Sequence, residues 1–315
     1  MDYESFRKCI QEELQKLYPT ARFILNKVNK NNGMVLDSLV IQENDEHIIP
    51  CIYLNQYYNQ YQQGGTLSAI VKKISDTYQS AKSGVHLAHD NEVIHSFSDY
   101  EKIKDHIIFK VINFNQNQQL LESVPYIKFL DLAVVYMILV QEKSESIGTV
   151  LIRTEHMNLW NVIIEELHTM AMKNTPRILP ARIQSMESVL RGLVSELDMQ
   201  DEIEQQDESD LYVMSNTKGI QGAATMLYPE VIANFRNTYC KEVDKIYILP
   251  SSIHESILLP CKADYHSDTL QQMVEDINRT QVPEDEVLSD SVYVYSVKDD
   301  AIYLADEYVK GESLQ

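Results

Sequence analysis

The segment IYILPSSIHESILLP, residues 246–260, reads as two short strands folded back on one another. Each apolar run ends in a proline, which lacks a backbone donor and so closes a strand instead of extending it. The polar SSIHE between the runs supplies turn-forming side chains. A strand–turn–strand unit of this kind commits the surrounding chain to an antiparallel sheet. It also gathers two hydroxyls, an imidazole and a carboxylate, on Ser251, Ser252, His254 and Glu255.

Two readings of that turn compete. As chemistry, Ser251 or Ser252 would be a nucleophile, His254 its base and Glu255 the group orienting the imidazole. As structure, the serine hydroxyls satisfy backbone groups and His254 caps a strand end. The chain lacks the GxSxG elbow that exposes a hydrolase serine. His254 and Glu255 are adjacent, so on a strand they would face opposite sides. HESIL also places Leu258 where a zinc-binding HExxH needs its second histidine.

The rest of the chain predicts an α+β fold of antiparallel sheets built from hairpin–helix units, in two or three modules. Phe6, Ile10, Leu14 and Leu17 recur at helical spacing near the start. MVLDSLVIQ (34–42) and EHIIPCIYL (46–54) alternate around Glu43-Asn44-Asp45 as a hairpin, with Pro50 ending or distorting the second strand. A tyrosine-rich helix follows, stopped by Gly64-Gly65, with Thr66 capping the next. Residues 82–98 are polar and read as a surface loop despite His86, His89 and His95.

HIIFKVINF (106–114), IKFLDLAVVYMILV (127–140) and TVLIRT (149–154) each read as one strand of a central sheet. A helix over 157–174 carries Trp160 as a packing anchor and ends at Thr175-Pro176. ILPARIQSM (178–186) returns as a strand of this module, and LYVMSN and AATMLYP open the C-terminal one. There, helices over 230–240 and 267–278 precede a final strand pair at 291–297 and 301–305. The expected organisation is 1–98, a helix and hairpin–helix module; 99–195, the central sheet; 196–210, an acidic linker; and 211–315, a C-terminal α+β domain.

Charge narrows the partners. The chain carries 47 acidic and 27 basic residues, a formal net charge of −20. Such a surface repels phosphate backbones and anionic membranes, which argues against direct nucleic-acid binding, and attracts a basic protein partner. The longest apolar run, 132–140, is far short of the ~20 residues a bilayer-crossing helix requires. The charged N-terminus and four scattered cysteines predict a cytoplasmic protein with reduced thiols.

Two further clusters are candidates for recognition. Arg177 and Arg182, near a helix end, would form an anion or partner pocket, or else pair with the abundant carboxylates. Tyr53, Tyr57 and Tyr61 fall at i, i+4 and i+8 and would either grip a ligand or pack against a sheet. The SNTKGIQG stretch lacks a phosphate-binding GxxxxGK[ST] and reads as a hairpin turn. The residues call for no cofactor and no metal.

NNGMVLDSL, IYLNQYY, IKFLDLAVVY, KNTPR, AATMLYPEV, LPSSIHE and VLSDSVYVYS occur in that order. Together they resemble an uncharacterised domain-of-unknown-function family of cytoplasmic proteins from anaerobic Gram-positive bacteria. The resemblance covers nearly the whole chain and implies no activity. The preferred expectation is a non-enzymatic interaction or regulatory protein with an acidic surface. A hydrolase centred on the LPSSIHE turn and a DNA-mimicking inhibitor are the alternatives.

Overall fold

In a computed structural model, the residues described are 1–43, 51–89, 96–142, 147–196, 211–261 and 267–312. The chain divides into two compact units, Met1–Phe97 and Ser98–Gln315. The fold class is α+β, and every strand pairing among the described residues is antiparallel.

The first unit opens with α1 (Tyr3–Leu17), capped by the Asp2 carboxylate, which accepts from the Ser5 N–H at 2.8 Å. Strands β1 (Arg22–Asn29) and β2 (Val35–Gln42) form a hairpin, and β3 (Cys51–Tyr53) pairs with the other edge of β2. The β1–β2 turn needs left-handed backbone at Asn32 (φ 59°) and Gly33 (φ 69°), two residue types that tolerate it. Strand β1 escapes sequence reading because its positions are half-buried or exposed, without clean alternation. The turn expected at Asn44-Asp45, and Pro50, lie outside the described residues.

Helices α2 (Leu54–Gln62) and α3 (Leu67–His89) complete this unit. Phe6, Ile10 and Leu14 of α1 join Leu39, Ile41, Leu54, Tyr57 and Ile74 in one apolar cluster. Thr66 Oγ1 accepts from the Ala69 N–H at 3.3 Å, the cap expected for α3. That helix runs through 82–89, where polar composition suggested a loop. Ala, Lys and Leu there are strong helix formers, and propensity prevails over polarity.

Among its described residues, the second unit holds two sheets. Helix α4 (Tyr100–Ile103) leads into β4 (Ile107–Asn113), and α5 (Gln118–Leu121) precedes β5 (Tyr126–Phe129), β6 (Leu132–Glu142) and β7 (Ile147–Leu151). Strand β6 pairs with β4 along one edge, and with β5 and then β7 along the other. The segment read as one strand over 127–140 is therefore a hairpin, turning at Leu130 (φ 54°) and Asp131.

The Trp160 helix is likewise two helices, α6 (Thr154–Trp160) and α7 (Ile164–Ile178), separated by left-handed Asn161 (φ 54°). Trp160 is buried and packs against Tyr100. Helix α7 does not stop at Thr175-Pro176 but carries Pro176 within its last turn. The Thr175 hydroxyl donates to the Ala171 carbonyl at 2.6 Å and accepts from the Phe109 N–H at 3.0 Å. Those bonds hold this turn against β4 where the proline removes a backbone donor.

The larger sheet runs β13–β12–β10–β11–β9–β8. Its strands are β8 (Ala181–Ser185), β9 (Tyr212–Asn216), β10 (Lys245–Pro250), β11 (Ser256–Cys261), β12 (Tyr293–Ser296) and β13 (Ala301–Leu304). The intervening helices are α8 (Met186–Glu196), α9 (Val231–Tyr239), α10 (Ser267–Gln281) and α11 (Ala305–Glu312). Strand β8, assigned by sequence to the central module, pairs here with β9. Residues 197–210, nearly all of the acidic stretch, lie outside the described residues.

AATMLYP is not a strand. Gly222–Leu227 forms a 3₁₀ turn in which Gly222 through Met226 are all buried. The SNTKGIQG stretch leads into that turn and not into a hairpin partner: Asn216 Nδ2 donates to the Ile220 carbonyl at 2.7 Å, and Gly219 is left-handed (φ 65°).

Asp131, in the β5–β6 turn, ties the two sheets together. It accepts from the Tyr293 hydroxyl at 2.7 Å and from the Ser289 hydroxyl. Burial, reinforced by the Asp131 charge, pushes the Tyr293 phenol well above its ordinary range. Nearby, Asn113 Nδ2 donates to the Leu288 carbonyl at 3.0 Å.

Candidate functional site

The LPSSIHE segment is the β10–β11 hairpin, with Leu249 opposite Ile257 and Pro250 opposite Ser256. Its turn is closed from inside: the Ser252 N–H donates to the Glu255 carbonyl at 3.2 Å, and Ser252 Oγ accepts from the His254 N–H at 3.0 Å. Buried Ile253 donates its N–H to the Glu286 carbonyl at 2.8 Å and accepts from the Ala223 N–H at 3.2 Å. The Ser215 hydroxyl donates to the His254 carbonyl at 2.7 Å.

The imidazole is part of the same lattice. The Gln221 N–H donates to His254 Nδ1 at 3.2 Å, so the neutral ring carries its proton on Nε2. That nitrogen faces Glu286, with Nε2 and Oε1 3.7 Å apart. Gly222 completes the joint, because a Cβ there would lie 2.1 Å from Ser215 Oγ and 2.4 Å from the His254 carbonyl oxygen.

The structure thus brings Ser252 to the His254 backbone and not to its ring. Glu255 meets Ser251, whose hydroxyl lies 3.5 Å from Glu255 Oε1, while Glu286 is the carboxylate beside the imidazole. A nucleophile–base pair needs the hydroxyl within about 2.6–3.2 Å of a ring nitrogen. In this arrangement Nδ1 already accepts from Gln221.

Beside the turn lies a cavity of about 420 Å³ between α10 and the sheet. The sheet contributes Leu249, Pro250, Ile257 and Leu259, and α10 contributes Leu270, Met273, Val274 and Ile277. Leu211 and Ser251 also line it, and among the described lining residues Ser251 is the one polar side chain. Strand alternation aims Leu249, Ile257 and Leu259 at α10, where Leu259 and Leu249 join buried Leu270 and Val274. Met273 and Ile277 remain 52% and 38% exposed, so the cavity opens to solvent along one side of the helix. An apolar volume of this size falls within the roughly 300–1,000 Å³ of small-molecule sites.

Sequence reasoning placed Ser251 among its candidates but none of the other lining residues. The available signal was in α10, where Leu270, Met273, Val274 and Ile277 make an apolar stripe at i, i+3, i+4 and i+7. Half of that stripe is left uncovered by the sheet.

The remaining candidates have other surroundings. In the first unit, Tyr57 is buried with its hydroxyl 3.0 Å from Thr77 Oγ1, Tyr61 packs on Phe6, and Lys30 Nζ lies 4.1 Å from the Tyr53 ring centre. In the second unit, exposed Arg177 donates to the Asp105 carbonyl at 3.0 Å, while Arg182 is exposed on β8. Of the cysteines, Cys261 is buried and Cys51 exposed. Among the described residues, no group of three or more His, Cys, Asp or Glu is placed to hold a metal ion, and no helix is long and apolar enough to cross a membrane.

No curated protein and no solved structure matches the chain. The order of motifs does have a counterpart at family level. A model described as a family of unknown function, DUF5688, matches residues 3–297, and the chain belongs to that family.

Proposed function

We propose that this chain is a non-enzymatic binding protein whose ligand seat is the cavity between α10 and the larger sheet. The observation that carries this reading is the cavity itself, about 420 Å³ and lined by apolar side chains from four separate parts of the chain. Exposed Met273 and Ile277 at its mouth add apolar surface that a bound group would cover. The Ser252 hydroxyl and the His254 imidazole of the adjacent turn hold backbone, which favours binding over hydrolysis at these two residues.

A second reading adds to the first. The net charge of −20 draws basic proteins by long-range attraction.

Nile red, an uncharged apolar dye, tests the cavity reading. Wild-type protein is expected to bind it saturably at one site. Ile277→Lys, at an exposed position, is expected to lose at least ten-fold in affinity while keeping its melting temperature. Equal binding by both proteins, or no saturable binding by wild type, would overturn the reading.

A further inference from the structure

Resting on that cavity reading, we infer the class of ligand: an apolar body ending in an uncharged or cationic hydrogen-bond donor, such as an alcohol or an ammonium group, and not in a carboxylate. Ser251, the lone polar residue among the described lining residues, follows the last residue of β10 and marks the position at which a head group would sit. Its oxygen lies 3.5 Å from Glu255 Oε1, and of the two groups only the hydroxyl can donate to an ionised carboxylate. A hydroxyl that donates on one side presents lone pairs on the other, so the group it receives best is a donor.

Charge favours the same choice. The Glu255 carboxylate lies 3.5 Å from the Ser251 hydroxyl, so an anionic head placed against Ser251 would meet a like charge at short range. Among the described residues, no lysine, arginine or histidine lines the cavity to offset that repulsion. The one basic residue of α10, Arg279, is engaged by Asp276 at 2.6 Å. An ammonium head would gain from Glu255 what a carboxylate loses.

The test is displacement of Nile red by three molecules of matched chain length: 1-octanol, octylammonium and octanoate, at neutral pH. Octanol and octylammonium are expected to displace the dye at concentrations at least ten-fold below octanoate. Glu255→Gln is expected to narrow the octylammonium–octanoate ratio several-fold. Ser251→Ala is expected to weaken octanol several-fold more than it weakens the dye. Octanoate binding as well as octanol, or a ratio unmoved by Glu255→Gln, would overturn the inference while leaving the cavity reading intact. Failure of wild type to bind the dye saturably would overturn both.

Discussion

The backbone N–H of Gln221 donates to Nδ1 of His254 at 3.2 Å, joining the buried 3₁₀ turn to the β10–β11 hairpin. His254 is thereby a structural acceptor. His254→Ala leaves a half-buried amide without its partner and should cost about 1–2 kcal/mol. Urea denaturation would register this as a lower midpoint at unchanged slope. An unchanged midpoint would mean that the ring contributes nothing to the joint.

Gly222 sits where the same two segments press closest. A Cβ would fall 2.1 Å from Ser215 Oγ, 2.4 Å from the His254 carbonyl oxygen and 2.8 Å from the Asn216 nitrogen. Two of these three atoms belong to the backbone and cannot swing away. Gly222→Ala should therefore cost about 3 kcal/mol, at the upper end for overpacking. Pairing it with Ser215→Ala should restore only a minor part. Full recovery in the double variant, measured by thermal melting, would show that the serine side chain alone sets the limit.

Asp131 and Tyr293 lie 162 positions apart, yet their 2.7 Å hydrogen bond connects the two sheets of the second unit. A hydrogen bond to a charged acceptor contributes about 1.5–3 kcal/mol, more than a neutral one. Asp131→Ala and Tyr293→Phe should each destabilise, and their double-mutant cycle should show about 1 kcal/mol or more of coupling. Strict additivity would contradict the link.

Stability should also fall on acidification. Burial pushes His168 below the ordinary histidine range, and its Nδ1 lies 3.0 Å from the Tyr136 hydroxyl. The folded state then binds this proton less readily than the unfolded state. Stability is complete above the unfolded pKa of about 6.5 and declines as pH falls below it. Burial likewise lowers His156, so part of the decline belongs to that residue. His168→Gln should flatten the loss of urea midpoint between neutral and mildly acidic pH. Parallel curves for the two proteins would exclude His168 as a contributor.

The sequence made hairpins legible wherever apolar alternation ended at turn-forming residues, as at Pro250-Ser251. It concealed turns embedded in an apolar or helical period that continues on both sides. Leu130 adopts φ 54° between two apolar strands, and Asn161 breaks a helical period that continues through Ile163 and Ile164. The small residues of Gly222–Leu227 looked strand-like because tertiary burial, not local preference, selects their 3₁₀ turn. The LPSSIHE turn was found as a polar cluster, but its hydrogen-bond partners Gln221 and Glu286 lie far away along the chain. The cavity was invisible for the same reason: Leu211, the β10–β11 hairpin and α10 enclose it only after folding.

The most direct measurement is methyl NMR on protein labelled at its methionine methyl groups, titrated with Nile red. Met273 lines the cavity at its open side, whereas Met214 and Met226 are buried in other parts of the second unit. Binding in the cavity predicts a saturable shift of the Met273 methyl, with Met214 and Met226 unmoved. A titration in which Met273 stays still while other methyls respond would place the ligand elsewhere and contradict the account.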